Sequence, residues 1–252
     1  FKKADSVHIS PNYPVELMQS PFERHQALIF QGSVSIQPGQ RYIQFPHQRM
    51  PIGSRWPTFS LTYSKGINVL TGSDVDFDKW TFHISDDRNL GMPGSVKYKL
   101  GAGGFLNSHK LFTPDYQHFN GNQTYVASEY VNSFQAANYY QNSTTARFYM
   151  IGHIEHHLNG LLTNKIPGFR KLKWNLVTGT NTFYVNKDSH YADLFVGLEN
   201  IFKVIRIDWV ASLYNRHWQP AVIRLGAGGL LGGSMNLSQG RGGPSRSISL
   251  KF

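Results

Sequence analysis

His153, Glu155 and His157 lie two residues apart from one another, and their types could support chemistry. On an extended strand this spacing puts all three side chains on one face. Two imidazoles and a carboxylate could hold zinc with one coordination position left open. The spacing is not that of the helical His-Glu-x-x-His pattern, however, and no further ligand is identifiable. The expected state is therefore a hydrogen-bonded polar patch, with no metal and no other cofactor. Arg206 and Asp208 repeat the two-residue spacing on a second polar face. They are expected to pair structurally, with Glu199 or with a loop. Other reactive arrangements are missing. The chain has no Cys, which excludes disulfides, thiolate nucleophiles and Cys-ligated metals. It has no Gly-x-Ser-x-Gly elbow, and Gly226-Ala-Gly-Gly229 lacks the Lys and the strand-to-helix setting of a phosphate loop. An enzyme is not expected.

The elements that must position these residues show a period of two. Val96, Tyr98, Leu100 and Ala102 alternate with Lys97, Lys99, Gly101 and Gly103. Phe59, Leu61 and Tyr63 alternate with Ser60, Thr62 and Ser64, and Ile205, Ile207 and Trp209 with Arg206, Asp208 and Val210. Residues 221–227 behave the same way, and weaker alternation runs through 27–36, 74–85, 146–158, 171–185 and 191–199. Within 74–85 the phase slips near Asp78, which predicts a bulge. Turn clusters fall at Pro38-Gly39, Asp86-Asp87-Arg88-Asn89 and Asn186-Lys187-Asp188, and along the Gly-rich stretch from Gly232 to Pro244. Helix signals are nearly absent, and Ser128 to Tyr140 fits either helix or loop. The count is roughly ten to twelve strands, many of them about nine to twelve residues long.

Long two-faced antiparallel strands fit either a soluble sandwich or barrel, or an outer-membrane barrel. In the soluble case the apolar face points to a shared core. In the membrane case it points to lipid, and the polar face lines a wet lumen. The Lys97/Lys99, Arg206/Asp208 and Arg224 faces fit the second picture better, and Trp56, Trp80, Trp174, Tyr214 and Trp218 would suit interfacial girdles. No apolar run approaches the ~20 residues a membrane-spanning helix needs. At the end of the sequence, Ile248, Leu250 and Phe252 alternate with Ser247, Ser249 and Lys251. This looks like the terminal strand by which bacterial outer-membrane proteins are recognised for insertion.

Lys and Arg number 25 against 15 Asp and Glu, a formal charge of +10. Basic chains rich in rings often bind nucleic acid. Here the cations are scattered over strand faces and the stretch from Lys165 to Lys173 without one dense stripe, so no nucleic acid is expected. On a barrel they would meet the phosphates of lipopolysaccharide or line the lumen.

Several segments together resemble a Bacteroidota family of uncharacterised outer-membrane barrels that usually follow a carboxypeptidase-regulatory-like domain. They are Pro38-Gly-Gln-Arg-Tyr42, Tyr63-Ser-Lys-Gly66, His153-Ile-Glu-His-His-Leu-Asn-Gly160, Asn164-Lys-Ile-Pro167, Lys171-Leu-Lys-Trp174, Gly197-Leu-Glu-Asn-Ile-Phe-Lys203 and Arg206-Ile-Asp208. That family in turn resembles the BamA/TamA type of surface-antigen barrel, which assembles or exports other outer-membrane proteins. One departure concerns the long loop where BamA-type barrels carry an Arg-Gly tip. Counted back from Phe252, that loop is Asn159 to Phe169, and it has no such pair.

The resemblance implies an all-β antiparallel transmembrane barrel covering residues 1–252, the later part of a barrel of roughly sixteen strands whose N-terminal region precedes Phe1. The expected location is the bacterial outer membrane. The expected role is non-enzymatic, in outer-membrane protein biogenesis, export or transport. The partners would be outer-membrane lipid, lipopolysaccharide, and other outer-membrane or periplasmic proteins. A passive channel or nutrient-uptake barrel, and a soluble ligand-binding β domain, are the alternatives. In the barrel, Asn159 to Phe169 is expected to meet His153, Glu155 and His157 at the lumen.

Overall fold

The computed structural model describes residues 25–68, 72–139, 142–158, 165 and 167–227. Their strands are β1 (Ile29–Ile36), β2 (Arg41–Gln44), β3 (Arg49–Gly53), β4 (Thr58–Gly66), β5 (Asp76–Gly91), β6 (Gly94–Lys110), β7 (Tyr149–His157), β8 (Asn175–Asn186), β9 (Ser189–Ile201), β10 (Ile205–Tyr214), β11 (His217–Trp218) and β12 (Val222–Ala227). Ten of them form one antiparallel sheet in the order β1-β4-β5-β6-β7-β8-β9-β10-β11, with β12 also paired to β10. β2 and β3 form a separate hairpin. The all-β antiparallel class expected from the alternation is present. Closure is not: no ladder joins β1 to β12 among the described residues.

The phase slip near Asp78 is a register shift between Asp78 and Lys79 in the β5–β6 ladder. Two expectations are corrected. The polar run from Asp86 to Asn89 does not turn but continues β5, with Arg88 Nε bonded to Asp86 at 2.6 Å along the strand. The reversal comes instead at Met92-Pro93 between Gly91 and Gly94, whose φ values of 78° and 102° suit glycine. The strand expected from Lys171 starts only at Asn175, because a short helix, α1 (Pro167–Leu172), precedes it. Pro167 fits its first turn, and Lys173 at φ 55° ends it in the left-handed region.

One face of the sheet, the outer, leaves apolar side chains exposed, and the other, the inner, carries buried charges beside buried rings. On its outer face Leu194, Trp209 and Ile223 are 51%, 53% and 60% exposed, while Asp193 and Asp208 on the other face are fully buried. Leu61, Leu100, Met150, Ile154, Tyr184, Val196, Ile207 and Leu225 continue the exposed apolar surface. Thr178, Thr180 and Thr182 share it, and each hydroxyl donates to a backbone carbonyl of β9, at 3.2, 2.8 and 2.9 Å. Their polar atoms therefore need no solvent partner.

What covers the inner face is the connection between β6 and β7, residues 111–148, which contains one 3-10 turn at Thr113–Asp115. Phe119 and Phe134 from this segment pack with Tyr149, Phe183 and Tyr191 of the sheet. Tyr130 packs with Val177, Phe195 and Val210. Its stretch 128–140, which fitted either helix or loop, contains no helix among its described residues.

Candidate functional site

The polar residues on the inner faces of β7 to β10 form two separate networks beneath residues 111–148. In the first, Glu155 of β7 accepts from Arg206 Nη1 of β10, across the two intervening strands β8 and β9. Arg206 Nε also reaches both Asp208 carboxylate oxygens at 2.9 Å. Asp208 in turn accepts from the Tyr130 hydroxyl, and the Arg206 guanidinium stacks 3.9 Å from the Tyr130 ring centre. His157 Nε2 lies 3.5 Å from Glu155, and its Nδ1 donates to Glu199 at 3.0 Å. Charges this deeply buried are tolerable because each has an opposite charge or a donor beside it. A side chain at position 197 would take the space of the Asp208 carboxylate, so glycine is required there.

In the second network, His153 Nδ1 donates to Asn181 Oδ1 at 2.9 Å, and Asn181 Nδ2 donates to Asp193 at 2.7 Å. Asp193 also accepts from the Gln135 backbone N–H at 2.9 Å and from the Tyr191 hydroxyl at 3.3 Å. The Phe134 ring lies 5.0 Å from that of His153.

Four attachments hold residues 111–148 in place: Tyr130 to Asp208, the Gln135 N–H to Asp193, Lys99 Nζ to Asn132 at 2.7 Å, and Arg224. Arg224 Nε and Nη2 donate to the carbonyls of Gln135 and Asn122, at 2.7 and 3.1 Å. Burial raises the pKa of the Tyr130 hydroxyl well above its ordinary value, which keeps it a donor to Asp208. The segment also pairs with the edge of the sheet: Ala127 N–H donates to Leu225 O, and Leu225 N–H to Tyr125 O, both at 2.8 Å, in a parallel bridge.

The structure thus brings Glu155, His157, Arg206 and Asp208 together and places His153 apart, with Asn181 and Asp193. Asp208 meets a loop residue, as expected, whereas Glu199 meets His157 rather than Arg206. Among the described residues, no three His, Asp or Glu side chains are arranged to hold a metal. Residues 159–164 and 166, and with them most of the loop expected at the lumen, lie outside the described residues, as do Gly232 to Pro244 and Ile248, Leu250 and Phe252. Sequence reasoning missed Asn181, Asp193, Tyr130 and Gln135. Parity along β8 and β9 places the first two on the inner face, but nothing periodic marks the other two.

Residues 1–198 match the model of a family described as the C-terminal domain of a family of unknown function, DUF5686. No curated protein and no solved structure matches the chain.

Proposed function

We infer a role from one premise: the chain belongs to the DUF5686 family through its C-terminal domain, and that family has no known function. The chain is the wall of an integral outer-membrane β-barrel, non-enzymatic, with residues 111–148 packed into its lumen. It acts in outer-membrane protein biogenesis, export or transport, within a complex.

The observation that carries this reading is the polarity of the sheet: the outer face exposes aliphatic and aromatic side chains, and the ion pairs lie buried on the inner face beside its ring clusters. A protein in water gains by burying the first and solvating the second. In a bilayer both preferences reverse for the outer face, and threonine hydroxyls must be satisfied within the protein, as Thr178, Thr180 and Thr182 are. Along β5 the outward residues Trp80, Phe82 and Ile84 lie between Asp78 and Asp86. Eight residues at ~3.3 Å each, tilted by ~40°, give an apolar band about 20 Å tall, near the ~25 Å of membrane barrels. The family that the quoted segments resemble is itself similar to surface-antigen barrels, and this supports the biogenesis role.

A passive channel is the second reading, and one observation favours it. Residues 111–148 cover the inner faces of the later strands, while Ser33 and Ser35 of β1 remain exposed beside Thr62 and Ser60 of β4. This hydroxyl-lined strip could border an aqueous path.

Depleting the protein and measuring the levels of other outer-membrane barrels tests the role. A fall in those levels supports biogenesis, and unchanged levels with altered solute flux favour the channel. A purified chain that is monomeric and soluble without detergent would overturn the membrane reading itself.

A further inference from the structure

At one end of the sheet, residues 37–57 connect β1 to β4 and contain the β2–β3 hairpin. We propose that this connection is a docking surface for the phosphate groups of a membrane-lipid headgroup, with Arg41, Arg49 and Arg55 as the phosphate donors. The inference rests on the membrane reading above and assigns it a specific lipid contact.

The first argument is charge. Arg41, Arg49 and Arg55 are all exposed, and the sequence holds no Asp or Glu between Glu23 and Asp74. Their charge is therefore uncompensated within the segment. A guanidinium presents a planar fork of donors that matches phosphate oxygens, and it is less strongly hydrated than an ammonium.

The second argument is depth. β1 and β4 end at this side with the outward pair Ile36 and Phe59, and the connection begins with the next residue. If the apolar outer band sits in hydrocarbon, the three arginines sit at headgroup level. Tyr42 and Trp56, 56% and 60% exposed, lie among them, and amphipathic rings favour that same interface.

The third argument is that the surface is built. The Ser54 hydroxyl donates to the Pro38 carbonyl and accepts from the Trp56 N–H at 3.0 Å, which closes the base of the connection. Arg88 on β5 donates to the Arg55 carbonyl and so ties the connection to the β5–β6 hairpin. The backbone that carries Arg55 is thus fixed before any ligand arrives, so only the arginine side chains remain to be ordered on binding.

The test titrates the full chain in detergent micelles with a bisphosphorylated glucosamine lipid and with the same lipid after its phosphates are removed. The expected result is binding roughly tenfold or more tighter to the phosphorylated form. The variant Arg41→Gln/Arg49→Gln/Arg55→Gln should lose this preference while keeping the wild-type circular dichroism spectrum. Equal binding of the two lipids by the wild type would overturn the proposal whether or not the variant folds. So would a preference that survives the triple substitution, or an oligonucleotide that competes as well as the phosphorylated lipid. Failure of the membrane reading is seen separately, as a wild-type chain that does not float with lipid vesicles of any composition.

Discussion

The Tyr130 hydroxyl donates to the Asp208 carboxylate, joining two residues 78 positions apart in the chain. Asp208 is fully buried and also holds Arg206, so this one bond couples the covering segment to the charge network of the sheet. Tyr130→Phe should destabilise the protein by about 1–3 kcal/mol through loss of a donor to a buried charge. Asp208→Ala should cost more, about 3–5 kcal/mol, because Arg206 loses one of its two carboxylates. Urea unfolding of both variants in the same detergent checks the order, and equal effects would show that the tyrosine bond matters as much as the ion pair.

Trp209 lies between Val196 and Ile223 on the outer face. In hydrocarbon Trp209→Arg should cost about 2–4 kcal/mol, whereas an exposed position in water tolerates such a change within about 0.5 kcal/mol. The fraction of chain that folds into lipid vesicles, measured against urea, separates the two.

Thr180→Val should be close to neutral in the same assay. The Thr180 hydroxyl already spends its hydrogen on the Asp193 carbonyl, and valine has nearly the same shape. A loss well above about 1 kcal/mol would mean that the hydroxyl has a solvent role the outer face should not give it.

Gly197→Ala should lose about 1–3 kcal/mol, since the added methyl displaces the Asp208 carboxylate. Gly32→Ala is the control: nothing lies within 4 Å of the added atom, and the effect should stay within about 1 kcal/mol. Thermal unfolding of the pair in detergent tests the contrast.

The strands were legible because two-residue periodicity survives whichever face is wet. It marked β4, β10 and β12, and the slip at Asp78, directly from side-chain order. The turn expected at Asp86 to Asn89 failed because polar residues read alike in turns and on exposed strand ends; only Gly91 and Gly94 carried the conformational signal. The trio at 153–157 was visible as a shared face, but its division was not. Glu155 is drawn to Arg206 three strands away and His153 to Asn181 directly opposite on the next strand, and both pairings depend on sheet order and register rather than on spacing. Least legible was the placement of Tyr130 and Gln135. Among the described residues, the backbone of their segment pairs with the sheet edge at one isolated bridge, from Val126 to Leu225, so its packing follows no repeat.

That bridge also sets a chronology. Tyr125 and Ala127 are made long before Leu225 as the chain grows, as is Asn122 before Arg224, which lies 102 residues further on. Until β10 and β12 are in place, the segment has neither Asp208, Arg224 nor the edge at Leu225 to hold it. A chain stopped before Val222 would have most of its sheet and would hold the segment at Lys99, Asp193 and Asp208, while still lacking Arg224 and the edge at Leu225; the last described strand completes the cover.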